Sequence, residues 1–375
     1  MPHFQIHDLA ELKARLSRGE ALAGAVIQGV DITAAAGALT RADISGAVFL
    51  GCEMGRELSA DLIKAGAVVF PAITGLPFAP YRNRLYTREG LFSGFDGKRP
   101  RSYNDTPDAQ IYAHFKARGG ISPDGIIEAL ARRLHDFSIT DALTQTLKGR
   151  DSAKTVAIMG GHNLARGSAD YCAAALMARS LTNDGYLLLS GGGPGAMEAT
   201  HLGASMAGHP KEKLLEAIKV LSKAPSYKDE DWLALAFTVI KRYGLDGDDT
   251  PKSIAIPTWL YGHEPPTPFA PLIAKYFSNS VREEGLITLA SGGIIFAPGN
   301  AGTIQEIFQD FAQNHYATTG LRSPMVFFNR DYWNKTRPIY PIIKAYAKDE
   351  PYGDMITSVD RVKDAVEFIK NTPPR

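Results

Sequence analysis

The chain is predicted to be α/β: a Rossmann-like, doubly wound parallel sheet with helices on both faces, plus an N-terminal accessory α/β region. Two observations predict this. From residue 152 onward, short apolar runs alternate with helix-length stretches, the signature of a parallel sheet covered on both sides. Three of those runs end in glycine turns, at Gly160-Gly161, Gly191 to Gly195 and Gly299 to Gly302. Parallel crossovers are nearly always right-handed, which winds such a chain into an open sheet.

Composition sets the frame. A length of 375 residues is long for one compact domain, so a core plus a sizeable extra region is expected. The 45% hydrophobic and 22% charged residues are ordinary for a globular chain. Net charge is +1, from 41 basic and 40 acidic residues, which argues against a general nucleic-acid binder. Two cysteines, Cys52 and Cys172, form no disulfide framework and fit a reducing compartment. Met1 to Leu12 lacks the basic end and apolar core of a signal peptide. No apolar run approaches the roughly 18 residues that span a bilayer. A cytoplasmic protein without a membrane segment is the expectation.

In chain order, Ala23 to Ile32 and Ala42 to Leu50 look alike and read as short strands. Two copies are too few for a solenoid. Ser59 to Ala65 reads as a helix and Ala67 to Phe70 as a strand. Residues 76–105 carry Arg82, Arg84, Arg88, Lys98, Arg99 and Arg101, interleaved with Tyr81, Tyr86, Phe92, Phe95 and Tyr103. Such a segment could bind anions or nucleotides; the favoured reading is a packed strap with its charges in water. Asp108 to Leu147 is helix-rich, with Ile126, Ile127, Leu130 and Leu134 at helical spacing. The polar Lys148 to Asp151 marks the boundary between a 1–150 accessory region and a 151–375 α/β domain.

Within that domain, strands are expected at Thr155–Met159, Tyr186–Ser190, Ser253–Ile256, Ile294–Ala297 and Met325–Phe328. Helices fall at Ala169 to Leu181, Ala196 to Met206, around 270–284, from the Pro298 turn to about 315, at 335–347 and at 360–370. A polar insertion with its own helices occupies roughly 209–251. Its Asp246-Gly247-Asp248-Asp249 is acidic enough for calcium, but Thr250 and Pro251 break the EF-hand spacing, so it reads as a turn. The histidines at 201, 209, 263 and 315 show no zinc-ligand spacing.

In open α/β sheets, ligands bind outside the carboxyl ends of the strands. A strand, a glycine turn and a helix start together aim free backbone N–H groups at a phosphate. Neither a P-loop nor a Gly-x-Gly-x-x-Gly fingerprint is present. The stretch Gly191-Gly192-Gly193-Pro194-Gly195-Ala196-Met197-Glu198-Ala199, followed by Pro298-Gly299-x-x-Gly302-Thr303-x-x-Glu306, resembles the LOG ("lonely guy") family. Its members are nucleotide 5'-monophosphate phosphoribohydrolases, once misnamed lysine decarboxylases. The resemblance runs from Thr155 to the C-terminus, apart from the insertion.

What the resemblance implies is specific. Glu306 matches the family's catalytic glutamate, and Arg282 occupies the place of its catalytic arginine. Gly299, Gly302 and Thr303 would hold the 5'-phosphate of an AMP-like nucleotide. Gly160, Gly161 and His162 of the first turn, Gly192, Gly193, Gly195 and Met197 of the second, and Asn300 and Ala301 of the third complete the candidate binding residues. Family members are typically homodimers and need no organic cofactor or metal. One departure stands out: the family usually has Gly at position 300. Asn tolerates a left-handed backbone, so the turn can survive, with its side chain directed towards phosphate or ribose.

The chemistry suits these residues. Breaking an N-glycosidic bond builds positive charge on the ribose. A nearby carboxylate stabilises it and orients water, while an arginine fork fixes carboxylate and hydroxyls. On local sequence alone, Thr303-Ile304-Gln305-Glu306 reads more strongly as a capping box; Arg282 and the resemblance shift the balance to catalysis. Glu198, in a helix's first turn, reads as structural. His162 reads as a helix-approach residue or as a phosphate or base contact. The leading expectation is a hydrolase releasing free base and ribose 5-phosphate from nucleoside 5'-monophosphates. The alternative is a nucleotide-binding or regulatory protein without hydrolysis.

Overall fold

Apolar runs too short to make helices pair instead as strands, and in the computed structural model of the protein they form two sheets among the described residues, 4–245 and 251–375. The acidic Asp246 to Asp249 stretch lies outside the described residues. The chain divides into two units, Met1–Leu85 with His114–Lys148, and Tyr86–Ala113 with Gly149–Arg375. The crossing at Lys148–Gly149 falls where the polar break stands in the sequence. Residues 86–113 join the second unit instead of the first, because part of this segment pairs as a strand there.

The first unit begins with β1 (Phe4–Ile6), α1 (Leu9–Ser17), β2 (Ala25–Gln28), α2 (Ala36–Leu39), β3 (Val48–Leu50), α3 (Arg56–Lys64) and β4 (Val68–Phe70). The strands lie side by side in chain order, all parallel. Asp8 starts α1 by accepting a hydrogen bond from the Glu11 backbone N–H, one of the donors a helix start leaves open. The two look-alike segments share one burial pattern: Leu22, Ala25, Ile27 and Val30 recur at the same spacing as Ile44, Ala47, Phe49 and Cys52, all buried. They are the middle of four strands. Of the outer two, β4 lies within the strand expected at Ala67 to Phe70, while β1, three residues long, carries no signal of its own.

Next come β5 (Tyr86–Thr87), α4 (Arg88–Leu91), α5 (Pro107–Ala117) and α6 (Ile126–Leu147). The basic-aromatic segment packs its rings inward, but not all its charges are in water, since Arg88 is buried. Tyr81, Tyr86 and Phe92 are buried, and Arg88 donates to the Pro268 carbonyl at 2.9 Å. Helix α6 forms as its spacing predicts but buries a polar face. Ile126, Ile127 and Leu130 are exposed, while Glu128, Arg132, His135 and Asp136 are buried. The buried face is tolerated because it is paired: Arg132 Nε donates to Glu128 Oε1 at 2.7 Å, and Arg132 Nη2 donates to the Arg118 carbonyl at 3.0 Å.

The second unit continues with β6 (Thr155–Met159), α7 (Ala169–Asn183), β7 (Leu187–Ser190), α8 (Ala196–Ser205), α9 (Lys211–Leu221), α10 (Trp232–Tyr243), β8 (Ser253–Ala255) and β9 (Leu272–Ile273). It closes with α11 (Asn279–Leu289), β10 (Ile294–Phe296), α12 (Ala301–Tyr316), β11 (Met325–Phe328), α13 (Ile339–Tyr346), β12 (Ile356–Val359) and α14 (Val362–Asn371). The sheet order is β12-β11-β10-β6-β7-β8-β9-β5, parallel except for β5, which runs antiparallel to β9. Strand residues alternate between two covered faces. Val156, Ile158, Leu188, Ile295 and Val326 pack with Tyr171, Leu202 and Ile369. On the other side, the Phe327 ring meets Phe296 at 5.5 Å and Trp333 at 5.7 Å.

One expected helix starts later than predicted. Pro271 holds the preceding residue extended, so 272–273 forms β9 and α11 begins at Asn279. Among the described residues, no helix is long and apolar enough to cross a membrane.

Candidate functional site

The chain leaves β6 toward β7 on one side and later returns to place β10 on the other. That reversal of strand order opens a crevice at the carboxyl ends. A cavity of about 460 Å³ lies there, lined by residues from all three glycine turns. Gly160, Gly161 and His162 come from the end of β6; Gly193 and Met197 from the end of β7; Asn300, Ala301, Gly302, Thr303 and Glu306 from the turn and start of α12; and Arg282 from α11. Gly192, Gly195 and Gly299, also candidates, are not among the lining residues.

Gly195 and Gly299 shape the turns. Gly195 has φ +68°, and a Cβ there would lie 2.3 Å from the Gly161 carbonyl oxygen. At Gly299 a Cβ would lie 2.1 Å from Thr303 Oγ1. Only glycine lets these strands approach so closely. The Gly161 N–H in turn donates to the Pro298 carbonyl at 2.9 Å, tying the first turn to the third.

Helix α12 begins at Ala301, earlier than a Thr303 cap would place it. Its N-cap is Asn300, whose side chain makes no capping hydrogen bond. The N–H groups of Ala301, Gly302 and Thr303 therefore face the cavity end without an intrahelical partner. This corrects two expectations. Asn300 has φ −101°, so no left-handed backbone is required of it. Glu306 lies in the second turn, too far along for a capping box with Thr303.

Glu306 instead points to α11, where its Oε1 lies 3.7 Å from Arg282 Nη1. Burial pushes its carboxyl up to about 7; Arg282 acts against this and Glu283 adds to it. Arg282 is 7% exposed. Its Nη2 donates to Asn279 Oδ1 at 2.6 Å, and Asn279 Nδ2 donates to Glu283 Oε2 at 2.9 Å. Arg282 Nε is buried with no hydrogen-bond partner among the described residues. Asn279 and Glu283 went unnoticed in the sequence, although Asn279 stands one helical turn before both Arg282 and Glu283, at i−3 and i−4.

The loop after β8 supplies residues that sequence reasoning missed: Pro257, Thr258, Tyr261, His263, Glu264 and Pro266 all line the cavity. The rule that ligands gather at strand carboxyl ends could have singled out this loop too. Glu264 has an 11% exposed side chain, with Oε1 3.5 Å from His162 Nδ1 and 3.7 Å from His263 Nε2. Burial raises its carboxyl, against the pull of His263 and Lys228. Burial, followed by Lys228, lowers His162.

Glu198 is structural. It is fully buried, accepts from Arg166 Nε at 2.8 Å and from the Tyr171 hydroxyl at 3.0 Å, and does not line the cavity. The Arg166 guanidinium also lies 4.5 Å over the Trp232 ring.

No protein-family profile matches the chain, and no curated protein matches it. Among solved structures, it is similar to the molybdenum cofactor binding protein from the phototrophic bacterium Rippkaea orientalis. The identity is 14%, the alignment covers 58% of this chain and 95% of that one, and the TM-score is 0.35.

Proposed function

We propose that the chain hydrolyses the N-glycosidic bond of nucleoside 5'-monophosphates, giving free base and ribose 5-phosphate, as its resemblance to the LOG phosphoribohydrolases implies. The observation that carries this reading is the Arg282–Glu306 pair, 3.7 Å apart, in the cavity onto which the uncapped start of α12 opens. A phosphate at that helix start receives the N–H groups of 301–303 and the favourable end of the helix dipole. This fixes the remote end of the substrate and brings the ribose toward Glu306. As the base departs with the bonding electron pair and takes up a proton from solvent, the Glu306 carboxylate stabilises the positive charge at C1' and accepts a proton from the attacking water. Arg282, which lines the same cavity, holds that carboxylate in place and supplies its planar fork to the ribose hydroxyls. A homodimer without organic cofactor or metal belongs to the same reading.

A second reading, nucleotide binding without cleavage, draws on Glu283. Its carboxylate adds to the protonation of Glu306, and a protonated Glu306 stabilises a cationic ribose less. One assay separates the two. Incubation with AMP, GMP, CMP, UMP and an N6-modified AMP should release free base. Glu306→Ala and Arg282→Ala should each reduce release by roughly 100-fold or more. Tight binding with no base released from any nucleotide would leave the binding reading alone standing.

A further inference from the structure

Three carboxylates line the cavity, and Glu264 stands apart from the Arg282 cluster that holds the other two. The β7 turn locates it. A Cβ on Gly191 would lie 3.5 Å from Arg282 Nη1, and a Cβ on Gly193 would lie 3.5 Å from Glu264 Oε2. Two residues of chain span at most about 7 Å, so Arg282 and Glu264 occupy neighbouring stations along one turn. Glu306 lies beside the first of these stations, Arg282.

Charge orients a nucleotide in the cavity. A phosphate is drawn to the free N–H groups of α12 and repelled by Glu264. The ribose falls at Arg282 and Glu306, which leaves the uncharged base for the Glu264 end. The cavity also carries surfaces that suit a flat ring, in Met197, Pro257, Tyr261 and Pro266. At the edge, Glu264 offers two acceptor oxygens, and His162 and His263 place ring nitrogens 3.5 and 3.7 Å from one of them.

Resting on the proposal that the cavity holds a nucleotide, we propose that Glu264 is a specificity-determining residue that selects guanine. Its oxygens accept the N1–H and N2–H of the base, and an imidazole N–H of His263 or His162 donates to O6. An ionised carboxylate only accepts. Adenine turns a bare ring nitrogen toward it, leaving buried polar groups unpaired, and this is the kind of mismatch that sites discriminate best.

The test is calorimetric titration of the full chain and of Glu264→Gln with three ligands. Two are the carbocyclic 5'-monophosphates of guanine and adenine, whose base is not attached by a glycosidic bond and is not hydrolysed. The third is ribose 5-phosphate, which has no base. The unaltered protein should bind the guanine analogue roughly 100-fold more tightly than the adenine analogue. Glu264→Gln should bring that ratio to within a few-fold and leave ribose 5-phosphate affinity within about 2-fold. An adenine preference in the unaltered protein overturns the assignment, and so does a ratio unchanged by Glu264→Gln. Weakened ribose 5-phosphate binding in the variant overturns it as well, since it would show a scaffolding role. In each of these cases the nucleotide site itself stands. If neither ribose 5-phosphate nor either analogue binds the unaltered protein, the nucleotide reading falls and takes this assignment with it.

Discussion

Replacing Glu306 by Gln should stabilise the protein, and more so as pH rises. Burial pushes the Glu306 carboxyl from an ordinary 4.5 to about 7, even with Arg282 beside it. Between those values the folded chain keeps a proton that the unfolded chain has released. Stability therefore falls as pH rises through that window, and the full penalty is present above pH 7. At 1.36 kcal/mol per pH unit, the gap is worth on the order of 3 kcal/mol. Gln has nearly the same shape and cannot ionise, so it escapes the penalty. Ligand-free thermal melts of both proteins at pH 5 and pH 8, at one ionic strength, provide the assay. The variant's advantage should be small at pH 5 and reach several degrees at pH 8. An advantage that does not grow with pH would refute the reasoning, because it would mean that Glu306 ionises in the folded protein as easily as in the unfolded one. A stability cost carried by a charged residue in a cavity is the usual mark of a site shaped for a ligand.

Other substitutions separate the roles of neighbouring residues. Gly299→Ala should cost about 1–3 kcal/mol by thermal melt and impair ribose 5-phosphate binding, because its Cβ would meet Thr303 Oγ1 at 2.1 Å. Gly302→Ala meets no atom within 4 Å; it should preserve or raise the melting temperature through helix propensity, by up to ~1 kcal/mol. Glu198→Gln should be far more damaging, about 3–5 kcal/mol, since it strips a buried Arg166 of its counter-charge. Leu130→Ser, on the exposed face of α6, should change stability by no more than about 0.5 kcal/mol in a denaturant titration, whereas the same change at a core leucine would cost several times more.

Much of the second unit is legible in the order of its residues. Thr155–Met159 and Met325–Phe328 form strands over those same residues, because an apolar run bounded by turns can only be buried on both faces. The two-residue strands β5 and β9 carry no such periodic signal and owe their state to the neighbours they pair with. Helix α6 misleads for a related reason. Ile126, Ile127 and Leu130 have the spacing of a core stripe, yet burial follows the Glu128–Arg132 side, where charge-assisted hydrogen bonds satisfy the polar groups. Hydrophobic spacing shows that a helix is amphipathic; which face is covered depends on what lies opposite.

The sequence by itself determined the α/β class, the three glycine turns and the choice of Glu306 and Arg282 as partners worth testing. Glycine turns after apolar runs are local features, written in consecutive residues. Only the tertiary structure decided that Arg282 Nη1 comes within 3.7 Å of Glu306, that α12 begins at Ala301, and that Glu264 joins the same cavity from the loop after β8. Those residues are far apart in the chain. What brings them together is the order of strands in the sheet, which follows from packing among all the elements at once.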